Sequence, residues 1–152
     1  MIRSNSKVNK SLQVHLDRLS FCEKIAQQSV CLSRHVGACL IKDGIVVSTG
    51  FNHVPKNTEN CQVCRRKISG KDLDTCKAIH AEEMCILNYL RKYSLDDIKD
   101  CILYISVAPC YNCAKLIADC GIKIIYAKKD YNSNYTKSLF DEAGINLIIF
   151  DI

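Results

Sequence analysis

The sequence predicts an α/β fold of three layers, with a mixed five-stranded sheet covered by helices on both faces. Three observations lead there. Strand-like and helix-like segments alternate over the C-terminal half with short connections, the pattern of right-handed parallel crossovers. Two strand-like runs nearer the N-terminus are joined by Asp43-Gly44, a dipeptide suited to a two-residue antiparallel hairpin, which makes the sheet mixed. The chain has 152 residues, 48% of them hydrophobic, with only 2 Pro and 6 Gly, which fits a single domain spanning 1–152 with a real core.

Taken in order, residues 1–10 are polar and expected to be flexible, after which Leu16, Leu19, Phe21, Cys22 and Ile25 recur at helical spacing and predict a helix over 11–28. Strands are expected over 36–42 and 45–52. Residues 53–76 are polar, without a steady apolar period, and contain Pro55, Asn57, Asn60 and Gly70. A loop of that length inside a compact domain has to be functional or tied down. Ala81, Met84, Cys85, Leu87 and Leu90 then mark an amphipathic helix over 80–93, followed by a strand over 102–107. A helix over 110–120 is stopped by Gly121, a strand follows over 122–127, and a helix over 135–143 is stopped by Gly144 before a last strand over 145–150.

Composition narrows the function classes. No run approaches the roughly 18 apolar residues of a membrane span, and the opening Met-Ile-Arg-Ser-Asn-Ser-Lys has no apolar secretion core, so a cytoplasmic protein without a membrane partner is expected. The 21 Lys and Arg against 16 Asp and Glu leave a formal charge of +5. That balance favours anionic small molecules such as nucleotides and falls short of a dedicated nucleic-acid binder.

The 11 cysteines are the unusual feature. An odd number in a chain of this size argues for thiols that are buried or metal-bound rather than for a disulfide framework. Cys22, Cys39, Cys85, Cys101 and Cys120 stand singly in apolar segments and are expected to pack as small hydrophobes. The remaining six fall into two groups.

The first group is Cys110 and Cys113. Three apart at a helix start, they share a face on which one metal reaches both sulfurs, and the positive end of the helix favours thiolates. Pro109 suits the first helical position. With His80 at the start of another helix they make three of the four ligands of a tetrahedral zinc, leaving the fourth position open to water, as in a catalytic site. Glu82, two residues after the ligand His80, is placed to accept a proton from that water and pass it on. His80-Ala81-Glu82 with Pro109-Cys110-Tyr111-Asn112-Cys113 matches the signature of zinc-assisted base deamination, in which C4 of a cytosine is attacked and its exocyclic nitrogen leaves as ammonia. Singly, each motif could be an ordinary helix start, a redox pair or half of a structural zinc site.

The second group is Cys31, Cys61, Cys64 and Cys76. Cys61-x-x-Cys64 is a chelating spacing, and Cys31 and Cys76 bracket the long loop, so four thiolates could close a structural zinc that anchors it. Otherwise the four are free thiols. Arg65, Arg66 and Lys67 would offset the charge of such a site or form a solvated basic turn.

From about residue 30 to 150 the chain resembles the cytidine deaminase superfamily and looks most like its deoxycytidylate (dCMP) deaminase branch. The resemblance is carried by Cys31-Leu-Ser-Arg-His-Val-Gly-Ala-Cys-Leu-Ile, Ser48-Thr-Gly-Phe-Asn-His-Val-Pro, Ile79-His-Ala-Glu-Glu, Pro109-Cys-Tyr-Asn-Cys-Ala-Lys-Leu-Ile and Ala118-Asp-Cys-Gly-Ile-Lys. It implies a cytidine deaminase-like fold, a zinc cofactor and conversion of dCMP to dUMP and ammonia. It further implies substrate contacts from Asn52 and Ala81, from Tyr131 and Ser133 in the loop after the fourth strand, and from Arg34 toward a phosphate. Some microbial and phage members are similar in carrying a second, structural zinc. Members of the branch are usually homo-oligomers, often hexamers. Related deaminases acting on another nucleotide, nucleoside or base, or editing a nucleic acid, share the two zinc motifs and are the alternatives. Two departures stand out: family members commonly have Gly-Tyr-Asn-Gly where this chain has Gly50-Phe51-Asn52-His53, at a position tied to regulation by dCTP and dTTP. The loop 130–134 also lacks the usual acidic residue after its aromatic.

Overall fold

A computed structural model describes residues 3–66 and 73–152. The elements are α1 (Arg3–Ala26), β1 (Gly37–Lys42), β2 (Ile45–Phe51), α2 (Ala81–Leu90), β3 (Ile102–Val107), α3 (Tyr111–Cys120), β4 (Ile124–Lys129), α4 (Asn134–Ala143) and β5 (Asn146–Ile149). Helix α1 therefore begins well ahead of the expected start near residue 11, because residues 3–10 carry no apolar period yet continue the helical backbone. Two 3-10 turns, Leu73–Thr75 and Leu95–Asp100, were not expected. The second opens on Ser94, whose side chain accepts from the Asp96 amide, and it buries Ile98 completely.

The sheet order is β2-β1-β3-β4-β5, with β1 antiparallel to both β2 and β3, and β3, β4 and β5 parallel. This is the mixed five-stranded sheet that the alternation predicts. At the hairpin, Asp43 (φ 51) and Gly44 (φ 76) both take the left-handed backbone that a two-residue turn matched to strand twist requires. Helices α3 and α4 stop at Gly121 and Gly144, where they were expected to stop.

Period-two alternation divides the core between the two faces. Ala38 and Leu40 of β1 and Leu103 and Ile105 of β3 face one side, where they pack with Cys85, Ile86 and Tyr89 of α2, Ile117 of α3 and Phe140 of α4. Cys39, Ile41 and Tyr104 face the other side and pack under Leu19, Cys22 and Ile25 of α1. Helices thus cover both faces. Four of the five solitary cysteines, Cys22, Cys39, Cys85 and Cys101, are buried as expected, and Cys120 is half-buried. No helix among the described residues is long and apolar enough to cross a membrane.

Candidate metal centre and active site

His80 is placed by its neighbours on both sides. Ile79 forms an isolated antiparallel bridge with His53 just past β2, through Ile79 N to His53 O at 2.8 Å and His53 N to Ile79 O at 3.1 Å. His80 itself is the extended cap residue of α2, and its amide donates to the Glu83 carboxylate at 3.0 Å. Helix α2 lies against β2 so closely that a Cβ on Gly50 would come within 2.3 Å of the Cys85 amide nitrogen. Two hydrogen bonds fix that seating, Ser48 Oγ to Cys85 O at 2.7 Å and Asn88 Nδ2 to Thr49 O at 2.9 Å.

The cysteine pair comes from the next crossover. Cys110 caps α3, so Pro109 precedes the cap instead of filling the first helical position as the sequence suggested. The Pro109 carbonyl accepts from the buried Thr136 hydroxyl of α4 at 3.2 Å, which ties the entry of α3 to the neighbouring helix.

These placements bring His80, Cys110 and Cys113 together, with ligand atoms all within 4.8 Å of one another. The Nδ1 of His80 lies 3.5 Å from Cys110 Sγ and 3.3 Å from Cys113 Sγ. Zinc bonds of about 2.3 Å to sulfur and 2.0 Å to nitrogen, at a tetrahedral angle, separate S and N by roughly 3.5 Å. The donor set and its spacing therefore fit a zinc ion with three protein ligands. Cys110 and Cys113 are buried, and Glu82, at 5% exposure, is buried beside them.

The electrostatics of the cluster put negative charge on Cys110 and a proton on the neighbouring His80. Hydrogen bonds from Cys113 and His80 hold the Cys110 thiol down to about 4, against the effect of burial. The His80 imidazole is pushed up to about 9, chiefly by its hydrogen bond to Cys110. Cys113 is pushed up by the hydrogen bond it shares with Cys110 and by burial. Burial pushes the Glu82 carboxyl up to about 7, opposed by a backbone hydrogen bond and by His80. A carboxyl so placed exchanges protons near neutrality, which a general acid-base needs.

A cleft opens over the cluster, and Arg34, Asn52, Ala81, Glu82 and Tyr131 all line it. Asn52 is buried and braces the wall. Its Oδ1 accepts from Val36 N at 2.9 Å and its Nδ2 donates to Arg34 O at 2.8 Å, which leaves one amide hydrogen and one lone pair for other partners. The Arg34 guanidinium lies 5.5 Å from the centroid of the Tyr131 ring. Ser133, expected among the nucleotide contacts, is not one of the lining residues. Its hydroxyl accepts from Thr136 N and caps α4.

Cys31, Cys61, Cys64 and Cys76 line a second cavity that shares a wall with the first. Among the described residues, however, His80, Cys110 and Cys113 are the one group drawn within ligand distance of each other. Of the basic triplet, Lys67 lies outside the described residues. Arg66 lines the catalytic cleft, which the sequence reading missed.

Residues 13–129 match the family model for the cytidine and deoxycytidylate deaminase zinc-binding region. The chain belongs to the cytidine and deoxycytidylate deaminase family. It is 36% identical over 129 residues to the deoxycytidylate deaminase of Schizosaccharomyces pombe, a match covering 80% of this chain and 39% of that one. It is 34% identical over 121 residues to the deoxycytidylate deaminase of Mycobacterium phage D29, covering 73% of this chain and 91% of the phage protein. The chain thus spans well under half of the yeast relative and nearly all of the phage one. Its fold is similar to that of the dCMP deaminase of cyanophage S-TIM5, solved in complex with dCMP and dUMP, with a TM-score of 0.77, 22% identity, and 90% and 96% of the two chains covered.

Proposed function

We propose that the protein hydrolyses dCMP to dUMP and ammonia. The observation that carries this reading is a buried carboxyl, Glu82, on the same cleft wall as a His/Cys/Cys cluster, in a chain whose phage relative is a deoxycytidylate deaminase. Zinc held by His80, Cys110 and Cys113 would supply Lewis acidity that makes water nucleophilic at neutral pH. The rest falls to the chain's own groups. Glu82 takes a proton from the attacking water and delivers it to N3 of the pyrimidine as the C4–O bond forms. A second transfer through the same carboxyl carries the proton of the new C4 hydroxyl to the exocyclic nitrogen, the C4 carbonyl forms as the C4–N bond breaks, and ammonia leaves. Asn52, Ala81, Arg34 and Tyr131 hold the nucleotide over this carboxyl.

Ammonia release from the zinc-loaded protein, measured across dCMP, CMP, deoxycytidine, dCTP, adenosine and guanine, tests the reading. Strong preference for dCMP is expected. Failure to turn over any free nucleotide with zinc bound would overturn it and move the assignment to another base or to a nucleic acid.

Three further readings belong with this one. The four cysteines on the second cavity support a structural zinc closed by Cys31, Cys61, Cys64 and Cys76. Leu87 and Leu90 of α2 and Tyr93 just beyond it are exposed, which supports assembly into a homo-oligomer, a hexamer being one such form. Eleven unpaired thiols support a reducing, cytoplasmic setting.

A further inference from the structure

We infer that Arg66 is the residue by which the cleft selects a 5′-phosphorylated substrate; this rests on the nucleotide reading above. Arg66 stands on the long loop after β2, and its side chain lines the same cleft as Glu82 and His80. Its Nε hydrogen is buried without a hydrogen-bond partner, the one such side-chain atom found among the described residues. That sealed Nε leaves the outer Nη edge of the guanidinium, one nitrogen of which already bonds Ser33, as the part an arriving anion would meet from the cleft. The acceptor has to be anionic and multivalent. Arg66 Nη2 donates to Ser33 Oγ at 3.0 Å, next in the chain to Arg34, so two guanidinium groups stand on one side of the cleft. Glu82 is the one carboxylate among the described lining residues, and it belongs to the proton relay. A phosphate presents several anionic oxygens to a planar guanidinium, an arrangement that a nucleoside lacking the phosphate cannot offer. Lys56, on the same loop, is exposed and lines neither this cleft nor the second cavity, which makes it the internal control.

The test is steady-state kinetics of the zinc-loaded full chain on dCMP and on deoxycytidine, for wild type, R66Q, R66K and K56Q. R66Q is expected to lower kcat/KM on dCMP roughly 10- to 100-fold through KM, while deoxycytidine stays within about twofold. R66K should recover part of the loss, and K56Q should change neither substrate. Competitive inhibition by inorganic phosphate, weakened in R66Q, provides a second readout that does not require turnover of the nucleoside. If wild type selects dCMP and R66Q selects it equally well, or loses both substrates alike, the inference fails and the nucleotide reading stands. If wild type itself shows no preference for dCMP, the nucleotide reading fails and the inference goes with it.

Discussion

Glu82 and Glu83 are adjacent and chemically alike, yet the fold gives them different work. Glu83 turns back to accept the His80 amide and so belongs to the helix start, whereas Glu82 is sealed beside the metal ligands at 5% exposure. Replacing Glu82 by Gln keeps the volume and removes the proton relay. The expected result is a fall in kcat of about 10²- to 10⁴-fold with zinc content by atomic absorption unchanged, and retained turnover would sink the mechanism. The clustering of His80, Cys110 and Cys113 beside Glu82 was legible in the sequence because of spacing: one helix start puts two sulfurs on one face, another puts a carboxyl two residues from an imidazole. Arg66 was not legible. Its value comes from where a long loop lays it, and a basic triplet beside a cysteine pair reads equally well as a solvated turn. Ser133, itself an expected contact, shows a role the sequence reading did not give it, since its hydroxyl caps α4.

At the scale of elements, close approach and docking decide what each segment can tolerate. Gly50 of β2 allows α2 to lie against the strand, and a Cβ there would meet backbone atoms of Cys85 at 2.3 Å and Ala81 at 2.5 Å, which are not free to move. Gly50→Ala should destabilise the protein by about 3 kcal/mol in urea denaturation and weaken zinc retention, because α2 carries His80. Zinc affinity unchanged in a folded variant would show that α2 does not set the ligand position. Helix α1 docks differently. His15 stacks on Tyr126 with centroids 4.1 Å apart, and its Nδ1 lies 2.6 Å from the Tyr104 hydroxyl, which also accepts from Arg18. A neutral imidazole suits that geometry, because the hydroxyl can donate to Nδ1. The His15 pKa is held below its ordinary value of 6.5, first by burial and then by Arg18. Protons therefore bind the unfolded chain more readily than the folded one. The stabilisation is full above pH 6.5 and is lost as pH falls through the lowered folded value. Thermal midpoints should drop between neutral and mildly acidic pH, with a smaller drop in His15→Phe; equal slopes would remove His15 from the account. The strands and the hairpin could be read from alternation and Asp43-Gly44, whereas the first turns of α1 could not, because residues 3–10 offer no apolar stripe for a period to reveal.

For the molecule as a whole, a metal held by His80, Cys110 and Cys113 would be a tie between two crossover units. His80 enters from the cap of α2 and the cysteines from the start of α3, two segments that are joined in sequence only through the Leu95–Asp100 turn and β3. A ligand that binds the folded chain alone stabilises it by RT ln(1 + [L]/Kd), about 4 kcal/mol when free zinc is a thousand times Kd. At this chain length each kcal/mol moves the midpoint by roughly 2–4 °C, so a strong chelator should lower Tm by about 10 °C in calorimetry. Stoichiometry then separates the two proposed sites. Wild type should hold two zinc ions per chain and a C61S/C64S variant one, the survivor being the ion that supports deamination. A variant with both ions retained would dismiss the four-cysteine site. A variant that loses both would show that the second cavity, which shares the wall formed by Cys31, Arg66 and Cys76 with the catalytic cleft, holds the first site in shape. The loop 53–76 would then be tied to catalysis through that shared wall.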